Sequence, residues 1–433
     1  MTIERVAVVG LGKIGLPLAV QFASKGLNVT GMDVSDKVVE STGAGVAHFE
    51  EPGMEILLRE AAASGQFQST SSLEKAVRGA NYVVVVVPLY VDSNGESDFT
   101  NIDLAIADVG KALTLDTTVI IETTLPIGTT RSRFARILEK ESGLRAGKDF
   151  FVAFSPERVS SGTVFADFRR YPKIVGGINP ESTMRAIELY EAGFEFDARL
   201  DLARPNGVWG VDSSEAAEFA KLAETTFRDV NIALANTFAS HAEELGVSYA
   251  AIREACNSQP FSMLHSAGIS VGGHCIPVYP HMYMQSDKSA KLVELARAIN
   301  KDAPGRSIQH VSDRLGELSG RHILVSGLSY RTGVKEAAFS GAMDLYQILL
   351  GLGANPHLVD ELYGVEEVAK MGFEYNPHQM FDALIINSGS RDFQLSLLSK
   401  LSPNATVMDG RSILQESDWK HLIHIGEGSS RLS

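Results

Sequence analysis

Three glycines in six residues, Gly10-Leu11-Gly12-Lys13-Ile14-Gly15, separate the apolar run Val6-Ala7-Val8-Val9 from a second apolar stretch, Leu16 to Phe22. Few folds use that arrangement. The first run has the length and β-branched content of a strand and the second the length of a helix, so the glycines must make a strand-to-helix turn. Gly10 permits the tight turn, Gly12 lets another molecule approach the backbone, and Gly15 lets helix pack closely on strand. The helix N-terminus then offers N–H groups and the positive end of its dipole to a phosphate. Asp33 ends the next predicted strand. A carboxylate there bonds the ribose hydroxyls of a dinucleotide and repels a 2′-phosphate, so NAD is expected rather than NADP. The predicted cofactor contacts are Gly10, Gly12, Lys13, Ile14, Gly15 and Asp33.

The strand–helix alternation continues through the first half. Predicted strands are Arg5–Val9, Asn28–Met32, Tyr82–Val87, Thr117–Ile121 and Phe150–Phe154. Tyr82–Val87 is apolar without alternation, as expected of a central parallel strand buried on both faces. Such a series implies right-handed βαβ units and a doubly wound sheet. Between Ser213 and Leu245 no Gly or Pro interrupts a helical pattern in which Phe219, Leu222, Thr226, Val230 and Leu234 recur at spacings of three and four, with Gly246 as its stop. A helix of that length exceeds the needs of one domain, so it is predicted to connect two lobes and carry a subunit interface. A second βα series starts at His322–Gly327 and continues at Pro356–Val359, Ala383–Ile386 and Ala405–Met408. The tail Gly426-Glu427-Gly428-Ser429-Ser430 is expected to fray. The fold class is therefore α/β: two Rossmann-like doubly wound domains joined by a long central helix and a helical middle domain. The division is residues 1–200, 201–300 and 301–433.

At 433 residues there is length for two or three cores, and 44% hydrophobic with 21% charged residues is ordinary for a globular chain. A formal charge of −14 argues against a nucleic-acid surface. It leaves room for a locally basic pocket that takes an anionic substrate. Two cysteines make no disulfide framework and point to a reducing compartment. Met1 to Arg5 leads directly into a strand, and no apolar run approaches the roughly 20 residues of a membrane span, so a soluble cytoplasmic protein is expected. No metal site is expected.

The two cysteines differ in setting. Cys256 reads as a small buried hydrophobe. Cys275 lies in Gly272-Gly273-His274-Cys275-Ile276-Pro277, where the glycines free the backbone to approach a ligand and the proline fixes the exit. A nicotinamide removes hydride, and a thiolate can hold the resulting aldehyde for a second removal. Together the two features suggest a dehydrogenase that carries an alcohol through to a carboxylate.

With that loop the chain resembles the UDP-glucose/GDP-mannose dehydrogenase family, and its version of the loop looks most like the UDP-N-acetylhexosamine (GlcNAc/ManNAc) 6-dehydrogenases. The resemblance extends over nearly the whole chain, through Glu122-Thr123-Thr124-Leu125-Pro126, Ser155-Pro156-Glu157-Arg158, the helix segment Ala220 to Asn231, Gly327-Leu328-Ser329-Tyr330-Arg331 and Asp409-Gly410-Arg411. It implies that Cys275 is the nucleophile, that Lys221 stabilises oxyanions, and that Glu157 serves water activation or a proton relay. Thr124 would order water or contact the nicotinamide, with Pro88 also at the cofactor. Substrate contacts would come from Glu157, Arg158, Lys221, Gly272, Gly273, Tyr279, Arg331 and Arg411, the last two at the diphosphate. The implied reaction is NAD-dependent four-electron oxidation of the C6 hydroxyl of a UDP-N-acetylhexosamine, by a homodimer formed through the central helix.

The chain also departs from the family pattern. Thr225 stands where many relatives carry Asn, and Tyr279 where many carry Asp, with Tyr279, His281 and Asp229 open as replacements for that carboxylate. Lys335-Glu336-Ala337-Ala338-Phe339-Ser340 lacks the arginine of the corresponding family segment. No arginine lies between Asn257 and Val271. Three other readings stay open: a UDP-glucose 6-dehydrogenase, a β-hydroxyacid dehydrogenase, and a nucleotide-sugar-binding relative with impaired turnover. A β-hydroxyacid dehydrogenase needs neither the cysteine nor a second α/β domain.

Overall fold

Alternate residues of the first strand, β1 (Arg5–Val9), enter different apolar layers: Val6 and Val8 pack on one face of a sheet, Ala7 and Val9 on the other. The computed structural model describes residues 5–92 and 94–428 and falls into two compact units. The first comprises residues 1–224 and 281–286, the second residues 225–280 and 287–433.

In the first unit β1 is followed by α1 (Gly15–Ser24), then β2 (Asn28–Met32), β3 (Phe67–Thr70), β4 (Tyr82–Val85), β5 (Thr118–Ile121), β6 (Phe151–Phe154), β7 (Lys173–Gly177) and β8 (Val208–Gly210). The strand order is β8-β7-β6-β5-β4-β1-β2-β3. Strands β3 to β6 with β1 and β2 are parallel in the Rossmann order 3-2-1-4-5-6, and β7 then runs antiparallel to β6. The order reverses between β1 and β4, the place where α/β sheets take ligands at their carboxyl ends. Strand β4 is buried on both faces as expected, but it ends at Val85 rather than Val87. The Val86 N–H still donates to the Val9 carbonyl (2.8 Å) before the chain turns across the end of β1. Strands β3, β7 and β8 lie outside the predicted set. Their sequences, Phe-Gln-Ser-Thr, Lys-Ile-Val-Gly-Gly and Val-Trp-Gly, mix polar residues and glycine with few apolar ones.

The long helix α2 runs from Ser214 to Leu245, and Gly246 follows it at φ +72° as the predicted stop. Its residues up to Glu224 belong to the first unit and those from Thr225 to the second. The second unit adds α3 (Tyr249–Asn257), and α4 (Tyr279–Ser286) follows, shared between the units. Then come α5 (Lys291–Leu315) and a sheet of β9 (His322–Ser326), β10 (Asn355–Val359), β11 (Phe381–Ile386), β12 (Leu401–Asp409) and β13 (Leu422–His424). All five strands are parallel, in the order β10-β9-β11-β12-β13. This is the other common doubly wound order, with its switch point between β9 and β11.

Two expectations need correction. Gly426, Glu427 and Gly428 do not fray: the Gly426 N–H donates to Glu243 Oε1 (2.6 Å), Tyr249 N–H donates to the Gly426 carbonyl (2.8 Å), and Ser248 bridges to Glu427. These three contacts outweigh the usual entropy of a tail; Ser429 and Ser430 lie outside the described residues. Cys256 is half-buried, not a core residue: it shares the face of α3 that carries buried Tyr249 but lies two turns further on, at the end of the helix. Among the described residues, no helix is long and apolar enough to cross a membrane.

Candidate active site

The glycine loop is held by contacts that no larger residue permits. A Cβ on Gly15 would lie 1.8 Å from the Gly10 carbonyl oxygen, and one on Gly10, whose φ is +97°, would lie 2.7 Å from the Val86 carbonyl oxygen. A Cβ on Gly12 would meet no atom within 4 Å beyond its chain neighbours, so the turn keeps an open side. Asp33 braces the turn from β2: its carboxylate accepts from the Leu11 N–H (2.9 Å) and the Ser35 N–H (2.9 Å). Lys13 is exposed and Ile14 half-buried. No acidic residue occupies the first turn of α1 to offset its dipole. Pro88 is exposed just beyond β4. His48, which no sequence signal marked, feels the Asp33 charge, yet burial outweighs it and holds the imidazole below its ordinary value.

Beyond β5 the chain forms a loop from Glu122 to Thr130 in which Thr124 is buried. Glu218 of α2 clamps this loop, accepting from the Gly128 N–H (2.5 Å), the Thr130 N–H (2.8 Å) and the Thr130 hydroxyl (2.7 Å). Burial pushes the Glu218 carboxyl up to about 7 despite those donors. One turn further along α2, Lys221 Nζ donates to the Glu157 main-chain carbonyl (2.6 Å).

The Glu157 side chain is mostly buried, 10% exposed. Its Oε1 accepts from the Arg158 and Val159 N–H groups (2.6 and 3.2 Å), and its Oε2 pairs with Lys173 Nζ at 2.9 Å. Lys173 also pairs with Glu122 at 2.9 Å, and Glu122 in turn accepts from the Tyr190 hydroxyl. Arg158 pairs with Glu224 (2.8 Å). A cavity of about 300 Å³ opens beside Pro156, Arg158, Ile174, Ala220, Lys221 and Glu224. The predicted residues Glu157, Arg158 and Lys221 are thus brought together. Glu122, Lys173, Tyr190 and Glu218 are the polar residues that sequence reasoning missed.

In the second unit the cysteine loop is shaped by packing. A Cβ on Gly272 would lie 2.7 Å from Tyr330 Cβ and 2.9 Å from the Phe339 carbonyl oxygen. Gly273, at φ +91°, faces the Tyr330 ring, with 3.2 Å left for a Cβ. The glycines therefore have a reason within the fold besides ligand approach. Phe339 is held at φ +51°, a conformation rare for an aromatic residue. Cys275 is exposed, and its carbonyl accepts from the Tyr279 N–H (2.9 Å) as α4 begins. His274 pairs with Glu336 at 3.6 Å.

Thr225 is buried on α2. Asp229 is committed to Arg297 (2.9 Å) and Asn300 (2.8 Å) of α5 inside the core, which removes it as a replacement carboxylate. At the switch point of the second sheet Arg331 is exposed in a tight turn closed by the Val334 N–H. Arg411 donates through Nε to the Asn387 carbonyl (2.7 Å) and through Nη2 to Ser270 Oγ (3.3 Å), so part of its fork serves the fold.

Residues 4–193 match the NAD binding domain of the UDP-glucose/GDP-mannose dehydrogenase family, and residues 215–302 match that family's central domain. The chain belongs to this family. It is 33% identical over 421 residues to a UDP-N-acetyl-D-mannosamine dehydrogenase of Pyrococcus horikoshii, covering 95% of this chain and 96% of the relative. The solved structure of a UDP-D-ManNAc dehydrogenase from Pyrococcus horikoshii superposes with a TM-score of 0.86 at 31% identity, covering 98% of this chain and all of that one. A UDP-glucose dehydrogenase structure from Pyrobaculum islandicum gives 0.85 at 25% identity, with 98% of each chain covered.

As a member of the UDP-glucose/GDP-mannose dehydrogenase family, the chain is an NAD-dependent nucleotide-sugar dehydrogenase. The residues present fit its cofactor: the open side of Gly12 leaves room for a pyrophosphate, and Asp33 stands at the end of β2 where a ribose is recognised. Asp33→Ala should weaken NADH binding by about tenfold or more, because it removes the brace on Leu11 and a carboxylate at the position where a ribose acceptor is expected. Fluorescence titration measures this, and unchanged affinity would leave Asp33 a purely structural residue. Glu218 gives a pH signature. Its carboxyl is raised in the folded state, so its contribution favours the fold below the unfolded value and is lost as pH rises toward about 7. Glu218→Gln should flatten that decline between about pH 4.5 and 7, by up to about 3 kcal/mol, in thermal melts across the range.

Proposed function

We propose that this chain oxidises the C6 hydroxyl of a UDP-N-acetylhexosamine, UDP-N-acetylmannosamine foremost, to the uronic acid. What carries the reading is the exposed thiol of Cys275 in a chain whose first domain belongs to an NAD-binding family. The relative of 33% identity, named for UDP-N-acetyl-D-mannosamine, supports the choice of sugar. NAD, when bound, supplies the hydride acceptor for each of two oxidations.

In this reading the alcohol loses a hydride and a proton to give an aldehyde. The Cys275 thiolate adds to its carbon, and the resulting oxyanion takes a proton to form a thiohemiacetal. Loss of a second hydride and that proton leaves a thioester on Sγ. Water attacks the carbonyl carbon, the C–S bond breaks, and the uronate leaves with the thiol restored. The Lys221 ammonium stabilises the oxyanions, which its fixed hydrogen bond to the Glu157 carbonyl prepares it to do. Glu157, kept below its ordinary carboxyl value by the Lys173 ammonium despite burial, accepts a proton from water. Thr124 and Thr225 provide hydroxyls for that water. Tyr279, Arg158, Gly272 and Gly273 contact the sugar, and Arg331 with the remaining donors of Arg411 contacts the diphosphate. By role, residues 1–200 take NAD, residues 201–300 carry catalysis and dimerisation, and residues 301–433 take the UDP-sugar. A homodimer would cover the stripe of exposed Phe227, Leu234, Phe238 and Leu245 on α2.

NADH absorbance followed with UDP-ManNAc, UDP-GlcNAc, UDP-GalNAc and UDP-glucose tests the reading. UDP-ManNAc should have the highest kcat/KM, and Cys275→Ser should lose at least about a hundredfold in uronate formation. Preference for UDP-glucose would move the assignment to that sugar, and full activity of Cys275→Ser would end the nucleophile assignment.

A further inference from the structure

Lys173 is 5% exposed, and its ammonium sits between Glu122, 0% exposed, and Glu157, 10% exposed, at 2.9 Å from each. The topology explains how one cation reaches both carboxylates. Glu122 follows β5 and Glu157 lies just beyond β6, both at the carboxyl ends of parallel strands. Strand β7 runs the other way, with Ala153 facing Gly177 and Phe154 facing Gly176, and continuing that register sets Lys173 opposite Glu157. A reversed strand thus delivers its first residue to the edge where parallel strands deliver their last. Burying an ammonium is costly unless it is paired. Here two carboxylates pair with it, and the Tyr190 ring lies 4.8 Å from its Nζ.

We infer that Lys173 is the positioning residue of Glu157, with Glu122 as its buried counter-anchor; this rests on the reading of Glu157 and Lys221 as part of the reacting site. Three links support it. Lys173 holds Oε2 while the Arg158 and Val159 N–H groups hold Oε1, which leaves the Glu157 carboxylate one orientation. The turn so fixed presents the carbonyl that seats Lys221 Nζ, so Lys173 acts on both reacting groups. The cluster holds two acids and one cation; burial raises the Glu122 carboxyl to about 7, while the Lys173 ammonium keeps Glu157 below its ordinary value despite burial. The charged and titratable groups around Glu157 are Lys173 of β7, Glu122 beyond β5, Tyr190 of the helix Pro180–Gly193, and Lys221 with Glu224 of α2; Arg158 is its own neighbour.

The test compares Glu157→Gln, Lys173→Met, Glu122→Gln and Lys173→Met with Glu122→Gln. Each is assayed with NAD and UDP-N-acetylmannosamine, or the best sugar of the panel, over pH 5 to 9 beside thermal melts. Removing the ammonium should lower kcat by about a hundredfold with KM for NAD unchanged, and should move the acid limb of kcat up by about 1 pH unit or more. Glu122→Gln takes one of the two anchors from Lys173 and should lower kcat by about tenfold with KM for NAD unchanged. The double variant relieves the buried unpaired charge, so it should regain thermal stability without regaining kcat. Should neither Lys173 variant fold, Glu122→Gln decides: a lowered kcat with KM for NAD unchanged supports the assignment, and full kcat overturns it. A folded Lys173 variant with full kcat and an unmoved limb also overturns it. If Glu157→Gln keeps full activity, the reading of Glu157 fails instead, which is a distinct result.

Discussion

A lysine that cannot reach water sets what the carboxyl edge of the first sheet can be. Lys173 needs anionic partners, and Glu122 and Glu157 meet that need from two neighbouring strand ends. Fixing Glu157 fixes the turn after β6, and that turn carries the carbonyl on which Lys221 rests. The helix that supplies Lys221 is held to the loop after β5 by Glu218, three residues earlier. Buried polar contacts of this kind are stable only when every member is satisfied, so they act as a unit. The cofactor turn shows the same economy, since Gly10, Gly15 and Asp33 leave it one conformation with an open side at Gly12.

What could be read from the chain was local. The glycine turn, the buried β4, the 32-residue helix and the second βα series follow from spacing and side-chain type within short windows. The missed strands are those whose residues lack a period. Phe67–Thr70 lies at a sheet edge, and Lys173–Gly177 hides its strand character behind a lysine and two glycines. Missing β7 meant missing its reversal, and without the reversal nothing connects Lys173 to Glu157. The fold gives Glu157 to Lys173 and the adjacent Arg158 to Glu224, 66 positions away. The tail misled for a related reason: its Gly-Glu-Gly composition suggests disorder, but Glu243 and Tyr249 supply partners no local window contains.

The cysteine loop shows where residue type has two explanations. Gly272 and Gly273 suit ligand approach, and they also make room for Tyr330 and Phe339. Both requirements act on the same positions, so glycine there does not by itself separate them. Asp229 looked available as a carboxylate from its place on α2, but the fold commits it to Arg297 and Asn300. Tyr279 starts α4 directly after the loop, with its main chain tied to Cys275.

The central claim is that one thiol carries an alcohol through two oxidations, and the count of NADH formed per sugar consumed tests it most directly. With limiting UDP-sugar and excess NAD, the account predicts about two NADH and one uronate per sugar, with no free aldehyde trapped by a hydrazine. One NADH per sugar with the aldehyde recovered would contradict it.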